Sequence, residues 1–168
     1  MKTNGGIVQI ESESDLTEFL QNVNAGTDYK DMDIVLVADI KICQTADWPG
    51  IGTEEHPFQG TFLGQNHSIC NLSFQSAQRD ISGLFGQVGA EATIQDLTVS
   101  CAGTCINAAG GIAGINLGLI DHCTVTGELR ADVKRSLRFH DAASSGLGSI
   151  AGLNLGTISN CGYVFFVV

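Results

Sequence analysis

The apolar positions of this chain follow one period near its start and another for the rest of its length. Leu16, Phe19, Leu20 and Val23 fall on one face of a helix, with Ser12-Glu13-Ser14-Asp15 reading as a capping box ahead of them and Gly26 as a stop behind. Beyond Asp33 the spacing shortens to that of strands: Ile34-Val35-Leu36-Val37 reads as a buried strand, and Trp48-Pro49-Gly50-Ile51-Gly52 as an aromatic-bearing turn.

Four segments then resemble one another. They are Gly60 to Phe74; Gly83-Leu84-Phe85-Gly86 leading to Ile94 and Val99; Gly111-Ile112-Ala113-Gly114 leading to Ile120 and Val125; and Ser149-Ile150-Ala151-Gly152 leading to Ile158 and Tyr163. Taking Ile69, Ile94, Ile120 and Ile158 as equivalent gives a period of about 25 residues, with about a dozen extra in the last unit, which suits a coil of three short strands and is too short for a helical hairpin. Stacked in that register, Ile69 lies over Ile94, Ile120 and Ile158; Leu72 over Leu97, Cys123 and Cys161; and Phe74 over Val99, Val125 and Tyr163. The expected architecture is all-β, a parallel solenoid closed at its N-terminal end by a short helix. It forms a single domain over 1–168, with a cap at 1–33, coils at 34–129, an insert at 130–145, and a last coil with a C-terminal strand at 146–168.

Composition supports repeated tight turns: Gly is 21 of 168 residues and Pro only 2. The net charge of −10 repels phosphate backbones and anionic lipid, so nucleic acid is not an expected partner. The start has no apolar leader segment, and the longest apolar run, Tyr163 to Val168, is too short to span a bilayer, so no membrane insertion is expected.

Taken in order, Val35 to Ile40, Trp48-Pro49, Ile51-Gly52, Phe58-Gln59-Gly60-Thr61-Phe62, His67-Ser68-Ile69, Asn71-Leu72 and Gly83-Leu84-Phe85-Gly86 resemble the bacterial GLUG-motif β-helix proteins. The later Gly-Ile-Ala-Gly, Asn-Leu-Gly and Ile-Ser-Asn-Cys elements, through Cys161, continue the pattern. The resemblance implies a pectate-lyase-like, right-handed β-helix in an extracellular or cell-surface protein, serving as a stalk, adhesin segment or accessory module. It carries no catalytic residue set and no cofactor. One departure is Asn66 where a Gly is common; Asn tolerates a left-handed turn, so the turn survives.

Several residues are candidates for chemistry. Asn71, Asp96, His122 and Asn160 share one column beside a turn and are expected to form a structural ladder of hydrogen-bonding side chains. Cys123 and Cys161, in the Leu72 and Leu97 column, are expected to be buried free thiols, and Cys101 and Cys105 to flank a turn. Ser73 with Gln75, Thr98 with Ser100, and Thr124 with Thr126 would make an outward hydroxyl array of the kind used on ice-binding solenoids. The insert carries Arg130, Lys134, Arg135 and Arg138, half of the chain's 8 basic residues. With Val133 and Leu137 four apart, a short helix is expected to dock there and to present Lys134, Arg135 and Arg138, followed by Phe139, His140 and Asp141. That set suits a carboxylate-bearing sugar or an acidic protein surface. A noncatalytic binding or structural module is therefore the leading expectation. A lyase or hydrolase acting on acidic glycans is the alternative, and ice binding a minor one. The apolar end at Gly162 to Val168 is expected either to self-associate or to be the cut end of a longer protein.

Overall fold

The computed structural model describes residues 1–27, 29–44, 47–74, 81–105, 108–131 and 146–164. The helical period produces α1 (Glu13–Asn24), which starts where the Ser12 hydroxyl accepts the Asp15 amide at 3.2 Å. The return bond expected of a capping box goes one residue further back, from the Glu11 amide to the Asp15 carboxylate at 3.1 Å. Leu16, Phe19, Leu20 and Val23 are all buried, so the predicted face is the packed one.

Two strands absent from the sequence reading precede this helix. β1 (Lys2–Asn4) and β2 (Ile7–Ile10) form an antiparallel hairpin whose turn residues, Gly5 and Gly6, both have positive φ, as a two-residue hairpin turn requires. In β2 Val8 and Ile10 are buried while Ile7 and Gln9 are exposed, and the strand runs parallel to β3 (Asp33–Leu36). The first coil therefore begins ahead of the helix, inside the stretch assigned to the cap.

The chain continues through β4 (Ile40–Lys41), β5 (Thr61–Leu63), β6 (Ser68–Phe74), β7 (Ile81–Ser82), β8 (Phe85–Val88), β9 (Thr93–Gln95), β10 (Thr98–Cys105), β11 (Ala108–Ala109) and β12 (Ala113–Asn116). It ends through β13 (Leu119–Asp121), β14 (Thr124–Ala131), β15 (Gly146–Leu147), β16 (Ala151–Asn154), β17 (Thr157–Ser159) and β18 (Gly162–Val164). These stack into four sheets ordered β1-β2-β3-β5-β9-β13-β17, β4-β6-β10-β14-β18, β7-β11-β15 and β8-β12-β16, and every pairing except β1 with β2 is parallel. The result is a parallel β-solenoid. A full coil has four short strands rather than three, because the Gly-Leu-Phe-Gly and Gly-Ile-Ala-Gly elements break the third side in two. The break needs glycine: a Cβ on Gly83 would lie 2.7 Å from the Gly114 backbone nitrogen.

The stacking register corrects the sequence alignment in its first unit. Ile94 and Ile120 pair in the first sheet, as do Ile120 and Ile158, but the residue above Ile94 is Phe62, with Ile34 and Val8 above that. Ile69 belongs to the second sheet, with Ile40 above it and Val99, Val125 and Tyr163 below. Leu72 pairs with Cys101 and Phe74 with Gly103. Cys101 and Cys105 lie within β10 rather than flanking a turn.

The inward faces form a continuous core. At its N-terminal end, Phe19 of the helix meets Tyr29, Phe58 and Phe62 at ring-centroid separations of 5.0, 5.7 and 6.2 Å, and Phe62 and Phe58 both reach Phe85. Trp48 is buried and its indole N–H donates to the Leu84 carbonyl at 2.9 Å. Asn116, fully buried, bonds the Asn154 side chain at 2.8 Å and the Gly118 amide at 3.2 Å, so the recurring Asn-Leu-Gly elements close a corner by an asparagine pair.

Arg130 and Ala131, assigned to the insert, continue β14 and pair with Thr104 and Cys105. Arg130 donates from Nε to Glu128 at 2.8 Å. The rest of the insert, including Lys134, Arg135, Arg138, Phe139, His140 and Asp141, lies outside the described residues, as do Gln75 and the last four residues of the C-terminal strand.

Candidate functional site

Between the first and second sheets the chain turns sharply, and from the second coil on the turn selects residues that tolerate a left-handed backbone. Asp96, His122 and Asn160 have φ of 55°, 49° and 51°, and in the coil above them the same corner is longer, using Gln65 at 50° and Asn66 at 63°. Asn71 is also left-handed, at 64°, but it sits in the middle of β6, where Cys70 and Asn71 together oppose Ser100 in a bulge. Its side chain donates to the Ile42 carbonyl at 2.5 Å. Asn71 is therefore not in the column of Asp96, His122 and Asn160.

Along this corner the backbone carries the vertical bonds: Asn66 N–H to Asp96 carbonyl at 2.8 Å, Asp96 N–H to Asp121 carbonyl at 3.2 Å, and His122 N–H to Ser159 carbonyl at 3.2 Å. The side chains converge instead on Asp121, which accepts from Ser159 Oγ at 2.6 Å and Asn160 Nδ2 at 2.9 Å and faces His122 Nδ1 at 2.7 Å. The Ser159 hydroxyl foremost, then Asn160 and His122, holds the Asp121 carboxyl down at about 2. Higher on the same corner, Asp39 accepts the Ser68 amide at 2.7 Å and faces His67 Nδ1 at 3.4 Å, and the Ser68 amide foremost keeps its carboxyl below the usual carboxylate range.

Ser159, His122 and Asp121 have the composition of a nucleophilic triad but not its connectivity. A serine nucleophile needs its hydroxyl on the imidazole, and here both the hydroxyl and the imidazole face the same carboxylate. An Asp held near 2 is ionised throughout the physiological range and so has no proton to give as a general acid. The arrangement acts as a polar clip joining the last coil to the one above. Asp121 directly precedes His122 in the sequence. Its pairing with Ser159 follows once Ile120 is set over Ile158.

The second sheet presents the hydroxyl face, in a register different from the one expected. Ser68, Thr98 and Thr124 form one row and Ser100 and Thr126 another, while Ser73 pairs with Ala102, whose other neighbour is Glu128. Gly162 and Val164 interrupt both rows in the last coil. The array is thus short and irregular compared with a repeating ice-matching lattice.

Two shallow clefts lie on the described surface. One, of about 230 Å³, is lined by Pro49, Gly52, Thr53, Ile81 and Gln87. The other, of about 370 Å³, lies against the helix beside Glu13, Thr17, Glu18 and Gln44. The Glu13 carboxylate there already accepts the Cys43 amide at 3.0 Å and the Gln44 amide at 2.8 Å. Among the described residues no group of three or more His, Cys, Asp or Glu side chains is arranged to hold a metal ion. No described helix is long and apolar enough to cross a membrane.

Comparison with known proteins agrees with the repeat pattern. Residues 107–130 match the model of the GLUG motif, a stretch that runs through β11, β12 and β13 to Arg130 in β14. Halomucin of Haloquadratum walsbyi (strain DSM 16790 / HBSQ001) is 31% identical over 123 residues, which cover 67% of this chain and 1% of that protein. The chain thus spans about 1% of the length of the curated relative it matches. No solved structure matches. What the fold and the comparisons establish together is a parallel β-solenoid carrying a GLUG motif at residues 107–130.

Proposed function

We propose that this chain is a noncatalytic β-solenoid module of a surface or extracellular protein, and that it binds a carboxylate-bearing glycan at one corner of the stack. The observation that carries the reading is the distribution of cations. Of the 8 Lys and Arg residues, Arg79, Arg130, Lys134, Arg135 and Arg138 all fall on the strand end and connections that lead from the second sheet to the third. The stretches of sequence between the described strands of these two sheets, 75–80, 106–107 and 132–145, also differ most in length between coils.

The GLUG match and the partial likeness to Halomucin support a module set within a larger surface protein. The saturated Asp121 clip favours binding over catalysis on that part of the surface. A glycan array decides the question. Uronate-bearing glycans are expected to bind the wild-type protein, and the double substitution Arg135→Ala and Arg138→Ala to abolish binding with the thermal midpoint nearly unchanged. Binding that persists in the double variant removes the site from this corner. An array without signal, beside capture of an acidic protein, replaces the glycan with a protein partner.

A further inference from the structure

Cys123 and Cys161 occupy equivalent places in the last two coils, each following a left-handed residue at the polar corner, with Leu97 in the same column of the coil above. Their sulfurs have equivalent surroundings. Cys123 Sγ lies 3.3 Å from the Asp121 carbonyl and 3.9 Å from that of Ile94; Cys161 Sγ lies 3.1 Å from Ser159 and 3.7 Å from Ile120. Asp121 pairs with Ser159 and Ile94 with Ile120, so the second environment is the first moved down by one coil. Two groups related in that way are separated by about one strand spacing, ~4.8 Å. The Cys123 amide already donates to Cys161 Sγ at 3.4 Å.

We propose that these two residues are a redox-operated staple. They are a dithiol in this structure and close to a disulfide between the last two coils when a small-molecule disulfide is present. One coil spacing puts the Cα atoms within the window of roughly 4.4–6.8 Å that a disulfide spans, and a shift of the last coil by a few tenths of an ångström brings the Cβ atoms into the roughly 3.5–4.5 Å it needs. Both cysteines are free in this state, Cys123 buried and Cys161 partly exposed.

That difference in exposure sets the order of the steps. Cys161 loses its proton and attacks one sulfur of the small disulfide, expelling the other half as a thiolate that takes up a proton. Cys123 then loses its proton and attacks the Cys161 sulfur of the mixed disulfide, and the second half leaves as a thiol. The two protein thiols are oxidised to one S–S bond, and the small disulfide is reduced to two thiols. Burial pushes the Cys123 thiol up to about 12, which makes the second step the slow one. The closed loop contains β14 to β17 and the insert, so the bond fixes the coil that has least cover of its own.

The test is to equilibrate the reduced protein, with Cys43→Ser to remove the exposed thiol, against oxidised glutathione and quench with acid. Intact mass and peptide mapping should show the loss of two hydrogens and a Cys123–Cys161 cross-link. The thermal midpoint should rise by about 5 °C or more and return on adding dithiothreitol. Cys161→Ala should abolish both changes while leaving the midpoint of the reduced protein within a few degrees. A glutathione adduct that stays on Cys161 without closing, or a pair that never oxidises, overturns the proposal.

Discussion

The two ends of the stack are built from the same columns and are finished differently. At the N-terminal end the helix lays Leu16, Phe19, Leu20 and Val23 on the first coil, and Glu13 accepts the Cys43 and Gln44 amides. The β1–β2 hairpin forms the first edge of the first sheet, and the terminal amine of Met1 pairs with Asp15 and, at 3.3 Å, with Glu18. At the other end, among the described residues, all four sheets stop on strands of a single coil. Residues buried in one coil lose cover in the next: Ile120 is buried and Ile158 only partly so, and Val125 and Tyr163 differ in the same way. Leu155 is 67% and Val164 46% exposed. Burial in a solenoid is thus a property of having a coil on each side, not of the residue, and a cap supplies at one end what the next coil supplies elsewhere.

The sharpest way to break this comparison is to remove one large side chain from each end. Phe19→Ala takes an aromatic from a five-ring cluster and is expected to cost about 3–5 kcal/mol, whereas Ile158→Ala, only partly buried, is expected to cost about 1–2 kcal/mol. Urea unfolding of both variants measures the gap. Equal losses at the two ends would mean that the last coil is as well covered as the first.

A partly covered end also has strand edges. β17 and β18 are the last strands of their sheets, and edges of this kind pair with another chain unless they are blocked. Self-association through this end is therefore expected, with a mass in light scattering roughly twice that of the single chain. Both Val164→Lys and truncation after Gly162 should restore the single-chain mass. A wild-type chain that stays monomeric as its concentration is raised excludes the contact.

How much of this was legible in the sequence depended on whether local pattern or pairing carried the information. The capping helix was visible because four apolar residues at helical spacing sit behind a Ser N-cap. The lower coils were visible because Ile94, Ile120 and Ile158 each open the same short pattern. The first unit misled for a physical reason. Ile69-Cys70-Asn71-Leu72 and Ile94-Gln95-Asp96-Leu97 have the same spacing and both contain a left-handed residue, but Asn71 serves a bulge inside a strand and Asp96 serves a corner. Only hydrogen-bond pairing separates the two uses. The same slip placed Asn71 in the polar column and shifted the hydroxyl rows. The β2 strand had its alternation in Ile7-Val8-Gln9-Ile10 but was too short to stand out beside the helix. The Asn116–Asn154 pair was present in the repeated Asn-Leu-Gly, although nothing in a single sequence says that such an Asn is buried.

The smallest expected effect concerns the clip that ties the less covered coil down. Asp121 is held at about 2 in the folded protein, against roughly 3.9 for a free aspartate, because the carboxylate form accepts from Ser159 and Asn160 and faces His122. A depressed carboxyl stabilises the fold in its ionised form. The contribution is fully present above about pH 4 and is lost as pH falls through about 2. Asp39, Asp15 and Glu128 are shifted in the same direction, so the acid sensitivity of the wild-type protein sums several groups. The difference between wild type and Asp121→Asn isolates this one. The variant should melt a few degrees lower at pH 5, and the two curves should converge by pH 2. Hydrogen exchange locates the effect: amides of β17 and β18 should exchange faster in the variant at pH 5, and those of the N-terminal helix should not change. If the helix amides accelerate equally, the stack opens as one unit and the two ends are not independent. If the melting curves stay parallel from pH 5 to pH 2, the Asp121 contacts do not hold the last coil.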